Sequence, residues 1–454
     1  MPIPPTEPVP GVAGPLRGLP RAAIDGIRSA PGRAIVLYAI AFGMAGLTPF
    51  ILLPILTRAL EPGEFGQASS WIIVAGLIAN IGGLTVHGLV SVRYFKVDRA
   101  ALRRLITSAL ALVAIVHAAF GAWLTVGPDP AAGFTHLPKA FSIGATLTAA
   151  AISFNLVGLA VVQMAGRPGL YLASRVLQSV IEIVGCLALL RFLDAGPEVR
   201  IYSYGAALAT CAVCGLAFLA TQGLLARTPD RSSISDTLRF GVPTVPHVVA
   251  GQLLGNLDRL MVSYVLGVQQ LGVFMVASQL GMALSMVIEP LNRALAPWLF
   301  AQLAKDDDET RRHRIVKATY ALFAGLLALA LLSAAAFMAL FGYIFPPEYA
   351  AAKVVIPAIA LGMAFQGMYY GVVNYVFYAE ATGRLSIVSA TTVTLACFSS
   401  YLLVSRWGIV GAAVSYMLTN LVLFLVVWRL SANVLPMPWL SAARRAQSGE
   451  KGQQ

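Results

Sequence analysis

Twelve stretches of about twenty mostly apolar residues follow one another along this chain, and each is long enough to cross a bilayer as a helix. They lie at approximately 34–57, 66–90, 105–127, 141–164, 170–190, 202–226, 238–263, 270–300, 318–341, 352–378, 386–405 and 408–432. Composition follows from this. Of the 454 residues only 11% are charged and 58% are hydrophobic, with a mean hydropathy of +0.77. A soluble domain carries about 25% charged residues, and helices facing hydrocarbon cannot hold ionisable groups cheaply. The expected class is an all-α polytopic membrane protein of about twelve transmembrane helices.

A net charge of +12 would suit a nucleic-acid binder if the charge formed one patch. It does not. With twelve spans the loops alternate sides, and 24 of the 32 Lys and Arg residues fall on the side that also carries both chain ends. Six fall on the other side (Arg58, Lys139, Arg191, Arg200, Lys353 and Arg406), and Arg259 and Arg293 lie within spans. This is the positive-inside pattern, with both termini cytoplasmic and no nucleic-acid partner. The Pro-rich stretch that opens the chain lacks the basic-then-apolar form of a cleavable signal. Four cysteines lie in apolar runs, and Cys211-x-x-Cys214 has no second ligand pair, so no metal site is expected.

The chain also repeats. Leu60 and Gly66 recur as Leu266 and Gly272, and Gly205-Ala-Ala207 recurs as Gly411-Ala-Ala413, both at an offset of 206. Gly166-Arg167 and Gly383-Arg384 correspond at a slightly larger offset. Six spans per half is an even number, so the halves share orientation and a pseudo-two-fold axis along the membrane normal. The implied organisation is a tail over 1–33, a six-helix bundle over 34–226, a linker over 227–239, a second bundle over 240–432 and a tail over 433–454. Pro49 and Pro54 in the first helix, and Pro243 and Pro246 in its counterpart, are expected to bend both.

The segment Leu53-Pro-Ile-Leu-Thr-Arg-Ala-Leu-Glu-Pro-Gly-Glu-Phe-Gly66 resembles the polysaccharide (O-antigen type) flippases of the multidrug/oligosaccharidyl-lipid/polysaccharide exporter superfamily. The stretch from Glu348-Tyr349 through Gly383-Arg384 to Trp407-Gly-Ile-Val-Gly-Ala-Ala413 is similar too. The resemblance implies a V-shaped pair of bundles in a bacterial inner membrane, moving an undecaprenyl-pyrophosphate-linked oligosaccharide between leaflets for surface polysaccharide synthesis. Its partners would be that lipid-linked oligosaccharide, the bilayer, and polysaccharide polymerase and chain-length machinery. It implies no ATP site, and the chain has no Walker-type phosphate loop. No cofactor is expected; coupling to H+ or Na+ is left open.

Such a cavity needs cations for phosphate and polar groups for sugar. Arg293 is the leading candidate, with Glu289 one turn away on the same helix face; the alternative is a pair that only ties helices or reaches headgroups. The offset of 206 maps Arg293 onto His87, so potentially cationic groups occupy equivalent places in both halves. Asp258 and Arg259 are adjacent and point about 100° apart, so one faces the cavity and the other pairs elsewhere. Glu182 and His247 are candidate proton carriers, with His117 a weaker one. Arg93 and Lys96 stand where a cytoplasmic mouth would attract an anionic headgroup, or serve topology alone. Two other functions fit less well: a drug or cation antiporter, which needs acidic residues in its cavity, and a sugar polymerase or ligase, which needs larger outer loops. The chain is not expected to be an enzyme.

Overall fold

The computed structural model describes residues 30–304 and 309–439; the N-terminal tail, the acidic run at 306–308 and the end of the C-terminal tail lie outside them. The helices are α1 (Ala30–Ala59), α2 (Pro62–Gly82), α3 (Val86–Arg93), α4 (Arg99–Val126), α5 (Lys139–Met164), α6 (Pro168–Phe192), α7 (Pro197–Thr221), α8 (Arg231–Gly255), α9 (Leu257–Leu266), α10 (Val268–Leu303), α11 (Glu309–Ile344), α12 (Ala352–Tyr378) and α13 (Thr382–Val434). Among the described residues ten helices are each long and apolar enough to cross a membrane. The helices and the apolar runs part company at three places, and two of them, α8 with α9 and the doubled α13, bring the count to twelve crossings.

The second run is broken. α2 ends at Gly82, and α3 starts after Leu84 and Thr85, whose φ values of 46° and 52° are left-handed. That conformation costs roughly 1–2 kcal/mol per non-glycine residue. The His117 ring fills the space beside Gly82, where a β-carbon would lie 2.7 Å from it. The seventh run is broken as well, at Asn256, between α8 and α9. Pro49, Pro54, Pro243 and Pro246, expected to bend their helices, sit inside helices that continue through them. Finally, no loop separates the eleventh and twelfth runs around Arg406. The chain turns at Gly408 (φ 58°, ψ −139°). A β-carbon on Gly411 would lie 2.0 Å from the Leu403 carbonyl oxygen, whereas eight residues of straight helix would separate them by about 12 Å. α13 therefore doubles back and supplies two crossings.

The two halves meet where the repeat is clearest. A β-carbon on Gly66 would lie 1.8 Å from the Val268 carbonyl oxygen, and one on Gly272 would lie 1.8 Å from that of Pro62. Pro62 and Val268 are themselves 206 apart, so α2 and α10 cross on a pseudo-two-fold axis with backbone against backbone. Glycine is required on both sides. Tyr349 reinforces the same end, its buried hydroxyl donating 3.0 Å to the Leu60 carbonyl and its ring edge-on to Phe65. Burial pushes this phenol well above its ordinary pKa, and Glu64, Glu348 and Glu61 push it further, so it stays a neutral donor. Arg58 adds a bond to the Tyr343 carbonyl at 3.1 Å. All these contacts lie at the end of the bundle with few basic residues.

At the opposite, basic end, arginines are used as staples. Arg99 donates to the Gln222 carbonyl (2.6 Å) and Arg103 to that of Leu225 (2.7 Å), fixing the chain between α7 and α8. Asp230 then caps α8, accepting from the Ser233 amide at 3.0 Å and from the hydroxyls of Ser232 and Ser233. These bonds, led by that from Ser232, hold its carboxyl below the usual aspartate range, and Arg104 adds to them.

Two predictions follow from these contacts. Gly66→Ala should cost about 1–3 kcal/mol by overpacking, seen as a lower thermal midpoint in detergent. Gly272→Ala should do the same, and the double variant should cost less than the two together because both open one crossing. For Asp230 the carboxyl is depressed in the folded state, so its stabilisation is full above the ordinary aspartate pKa and disappears as pH falls through the lowered value. The protection factors of the first-turn amides of α8, corrected for intrinsic exchange, should therefore fall in acid, and Asp230→Asn should remove that fall.

Candidate functional site

The first helix of each half reaches across to the second helix of the other. α1 meets α10, where a β-carbon on Gly46 would touch Met286 and the Arg293 guanidinium lies 5.2 Å from the Phe42 ring centre. α8 meets the broken α2–α3 span, where Val248 shares a small cavity with His87. These are the same contact twice, since Phe42 and Val248, like His87 and Arg293, are separated by 206 positions. The sequence pairing of His87 with Arg293 thus corresponds to a structural equivalence, with each residue facing the first helix of the opposite half.

Beyond this point the symmetry fails. α8 continues into the gap between the second span and α4, where Thr244 bonds the strained Thr85 at 3.2 Å and Gly241 lets the backbones approach at Leu84. α1 instead turns to its own bundle and docks on α6. Tyr38 lies edge-on to Tyr171 at 5.2 Å, and Thr48 donates to Ser179 at 2.7 Å. The covalent halves and the packed units therefore differ: the start of the second half is packed on the first.

The candidate residues fall into four settings. Arg293 and Glu289 are well exposed, with side-chain accessibilities of 64% and 54% and a separation of 3.8 Å. At that exposure the ion pair contributes about 0–1 kcal/mol, so Arg293 is available to an anion at the seam between halves. His87 is half-buried near Asn80, Thr85 and Ser153. His247 is exposed on α8. Asp258 and Arg259 diverge as their spacing requires: Asp258 is buried within electrostatic reach of Tyr416, while Arg259 turns back to donate to Gly255 and Asn256 at the helix break, both 3.1 Å. Arg93 ends α3 half-buried, and Lys96 is exposed in the turn that follows. His117 is buried, its Nδ1 against the Val113 carbonyl and its Nε2 without a partner.

Glu182 has a different setting. It forms a buried ion pair with Arg200, with side-chain accessibilities of 5% and 8%. The sequence places Arg200 in a loop. The structure places it in the first turn of α7, over the Tyr204 ring at 5.7 Å. Periodicity cannot reveal such a pair, because its members lie 18 residues apart on different helices. Phe42 and the amide pair Asn292 and Asn374 also escape sequence reading, being uncharged residues inside apolar runs.

A family model described as "Polysaccharide biosynthesis protein" matches residues 33–304. Protein 1 of the Lsg locus of Haemophilus influenzae is 24% identical over 276 residues, which is 59% of this chain and 65% of that protein. The chain thus spans just under two thirds of the relative it matches. Among solved structures, the lipid II flippase MurJ in an inward closed conformation superposes with a TM-score of 0.67 at 12% identity over 87% of both chains. An inward-facing multidrug MATE transporter gives 0.56 at 15% identity, covering 91% of this chain and 99% of that one. These structures share the fold.

Removing one partner of the buried pair should be far costlier than removing both. Glu182→Gln strands the Arg200 charge and should destabilise the protein by about 3–5 kcal/mol. The double variant Glu182→Leu/Arg200→Met should recover most of that loss in thermal unfolding. A loss as large in the double variant as in the single would mean the pair is not the source.

Proposed function

The chain belongs to the polysaccharide biosynthesis protein family, and from that premise we propose that it flips undecaprenyl-pyrophosphate-linked oligosaccharide repeat units across the bacterial inner membrane by alternating access. The observation that carries this reading is Arg293, a well-exposed cation within a membrane-length helix, at the seam where the first helix of one half meets the second helix of the other. An anionic diphosphate is the substrate chemistry such a residue suits, and a charge in a span costs about 2.5–3.5 kcal/mol to insert. The basic end is taken as cytoplasmic, with both termini there. On this reading the crossing at Gly66 and Gly272 serves as an outer gate.

His87 is the equivalent group of the first half, covered by α8 while Arg293 is exposed. Alternating access would change which first helix covers its partner. Glu182, committed to Arg200, is poorly placed to carry protons, so His247 is the better candidate if coupling is to H+; a Na+-coupled cycle needs neither. Arg93 and Lys96 would attract the headgroup at the cytoplasmic mouth, while their neighbours Arg99 and Arg103 are held by backbone carbonyls. Transport of this kind makes and breaks no covalent bond in the substrate, which is why no catalytic residue is assigned.

The test uses cells that make a known surface polysaccharide and lack their own copy of this protein. Lipid-linked repeat units should accumulate in the cytoplasmic leaflet, the intact chain should restore export, and Arg293→Ala should not. Outer-leaflet accumulation of unpolymerised units would contradict the transport role. Full rescue by Arg293→Ala would remove the central residue and leave the transport role standing.

A further inference from the structure

The gap that α8 fills in the first half has a counterpart in the second. The first-half gap is lined by Val86, Leu102, Ala109 and Val157, members of one core cluster against which Val245 of α8 packs. The offset of 206 carries Val86 to Asn292, and the larger offset of 217 shared by Gly166-Arg167 and Gly383-Arg384 carries the other three to Thr319, Leu326 and Asn374. All four of these residues line a single narrow fissure of about 50 Å³ that opens at the surface. It lies between α10 and α11 with α12 as its floor. Both α10 and α11 pack closely on α12 and barely on one another, so the mouth is lateral. α11 presents apolar side chains outward, including Leu331 and Leu332, and the mouth therefore faces hydrocarbon. No described segment of the chain enters it, because α1, the counterpart of α8, is docked on α6.

The chemistry of the fissure differs from that of its filled twin. Where the first half has Val86 and Val157, the second has Asn292 and Asn374. The Asn374 amide nitrogen donates to Asn292 Oδ1 and to the Tyr370 carbonyl, both at 2.9 Å. Its own oxygen and the Asn292 nitrogen are left for something else. Asn374 is 93% buried, as its accessibility is 7%, and an apolar helix could not satisfy an amide there. Asn292 adjoins Arg293 on α10 and points about 100° away from it, so the apolar fissure with its amide and the cation over Phe42 lie on neighbouring faces of one helix. An amphiphile with a phosphate head fits that pair of faces.

We propose that this fissure holds the first isoprene units of the substrate's polyisoprenyl chain, with the Asn292 amide and Arg293 engaging the phosphate to which the chain is joined. The proposal rests on the flippase reading for the identity of the substrate. It adds a chain-binding site on the second half alone. The first half offers no such site because α8 occupies the equivalent gap, which makes the carrier's grip on the lipid one-sided.

The probe is a polyisoprenyl phosphate with a photoreactive diazirine in its first isoprene unit, added to the full-length protein in bilayer discs. Adducts should map to the mouth of the fissure near Leu295 and Leu322. Ala318→Trp, at an exposed position on the lip, should lower them about tenfold, the equivalent of displacing roughly two methylenes. Leu322→Trp should act alike, so the result does not depend on one variant folding. A photoreactive phosphatidic acid should be captured at least about tenfold less well. Equal capture of both lipids would show a general lipid crevice and overturn the proposal. So would a disulfide forming between Phe42→Cys and Ala318→Cys in membranes, because α1 would then be the occupant. Fissure adducts in a chain that fails the leaflet assay would sink the transport reading and keep the site. Intact export with no fissure adducts would do the reverse.

Discussion

Two glycines on a pseudo-two-fold axis hold this architecture together. At Gly66 and Gly272 the backbones of α2 and α10 touch, and no side chain larger than hydrogen fits either position. In a bilayer the hydrophobic effect does not drive helices together, so association relies on close packing and on polar contacts. A glycine-on-glycine crossing supplies the closest packing a helix pair can achieve. The Tyr349 bond to Leu60 and the Arg58 bond to Tyr343 are built around it.

From the crossing toward the basic end, symmetry is kept for some way and then abandoned. Phe42 over Arg293 and Val248 near His87 are two versions of one contact. Past them α8 crosses into the opposite half and α1 does not. The strained Leu84 and Thr85 mark where this choice is made, since the hydroxyl of Thr244 and the bare backbone at Gly241 both bear on that break. Strain of this kind persists only where surrounding structure overdetermines it. A protein whose equivalent helices occupy inequivalent places contains, in one molecule, two arrangements of the same element.

Buried charge is distributed according to what each group can be paired with. Glu182 and Arg200 neutralise each other inside the first half and help to join α6 to α7. Arg293 has a nearby carboxylate but keeps its exposure. Asp230, Arg99 and Arg103 spend their charge on helix ends and loop carbonyls. A formal count of ionisable residues cannot separate these roles. Their partners do.

The sequence by itself determined the membrane class, the number of crossings and the repeat, because apolar length, alternating basic loops and a fixed offset are one-dimensional properties. It also singled out Gly66, Gly272, His87 and Arg293 as equivalent positions. The places of Arg200, Phe42, Asn292 and Asn374 were decided only by tertiary structure, since each acquires its meaning from a residue on another helix. The helix breaks went the same way. The prolines inside α1 and α8 are legible as bends, but the breaks fall at Leu84–Thr85, against which Thr244 and Gly241 of another helix pack, and at Asn256. A covalent repeat fixes which helices are equivalent. Only packing, which lets one copy of a helix cross between halves and keeps the other at home, decides that the equivalent gaps are unequal.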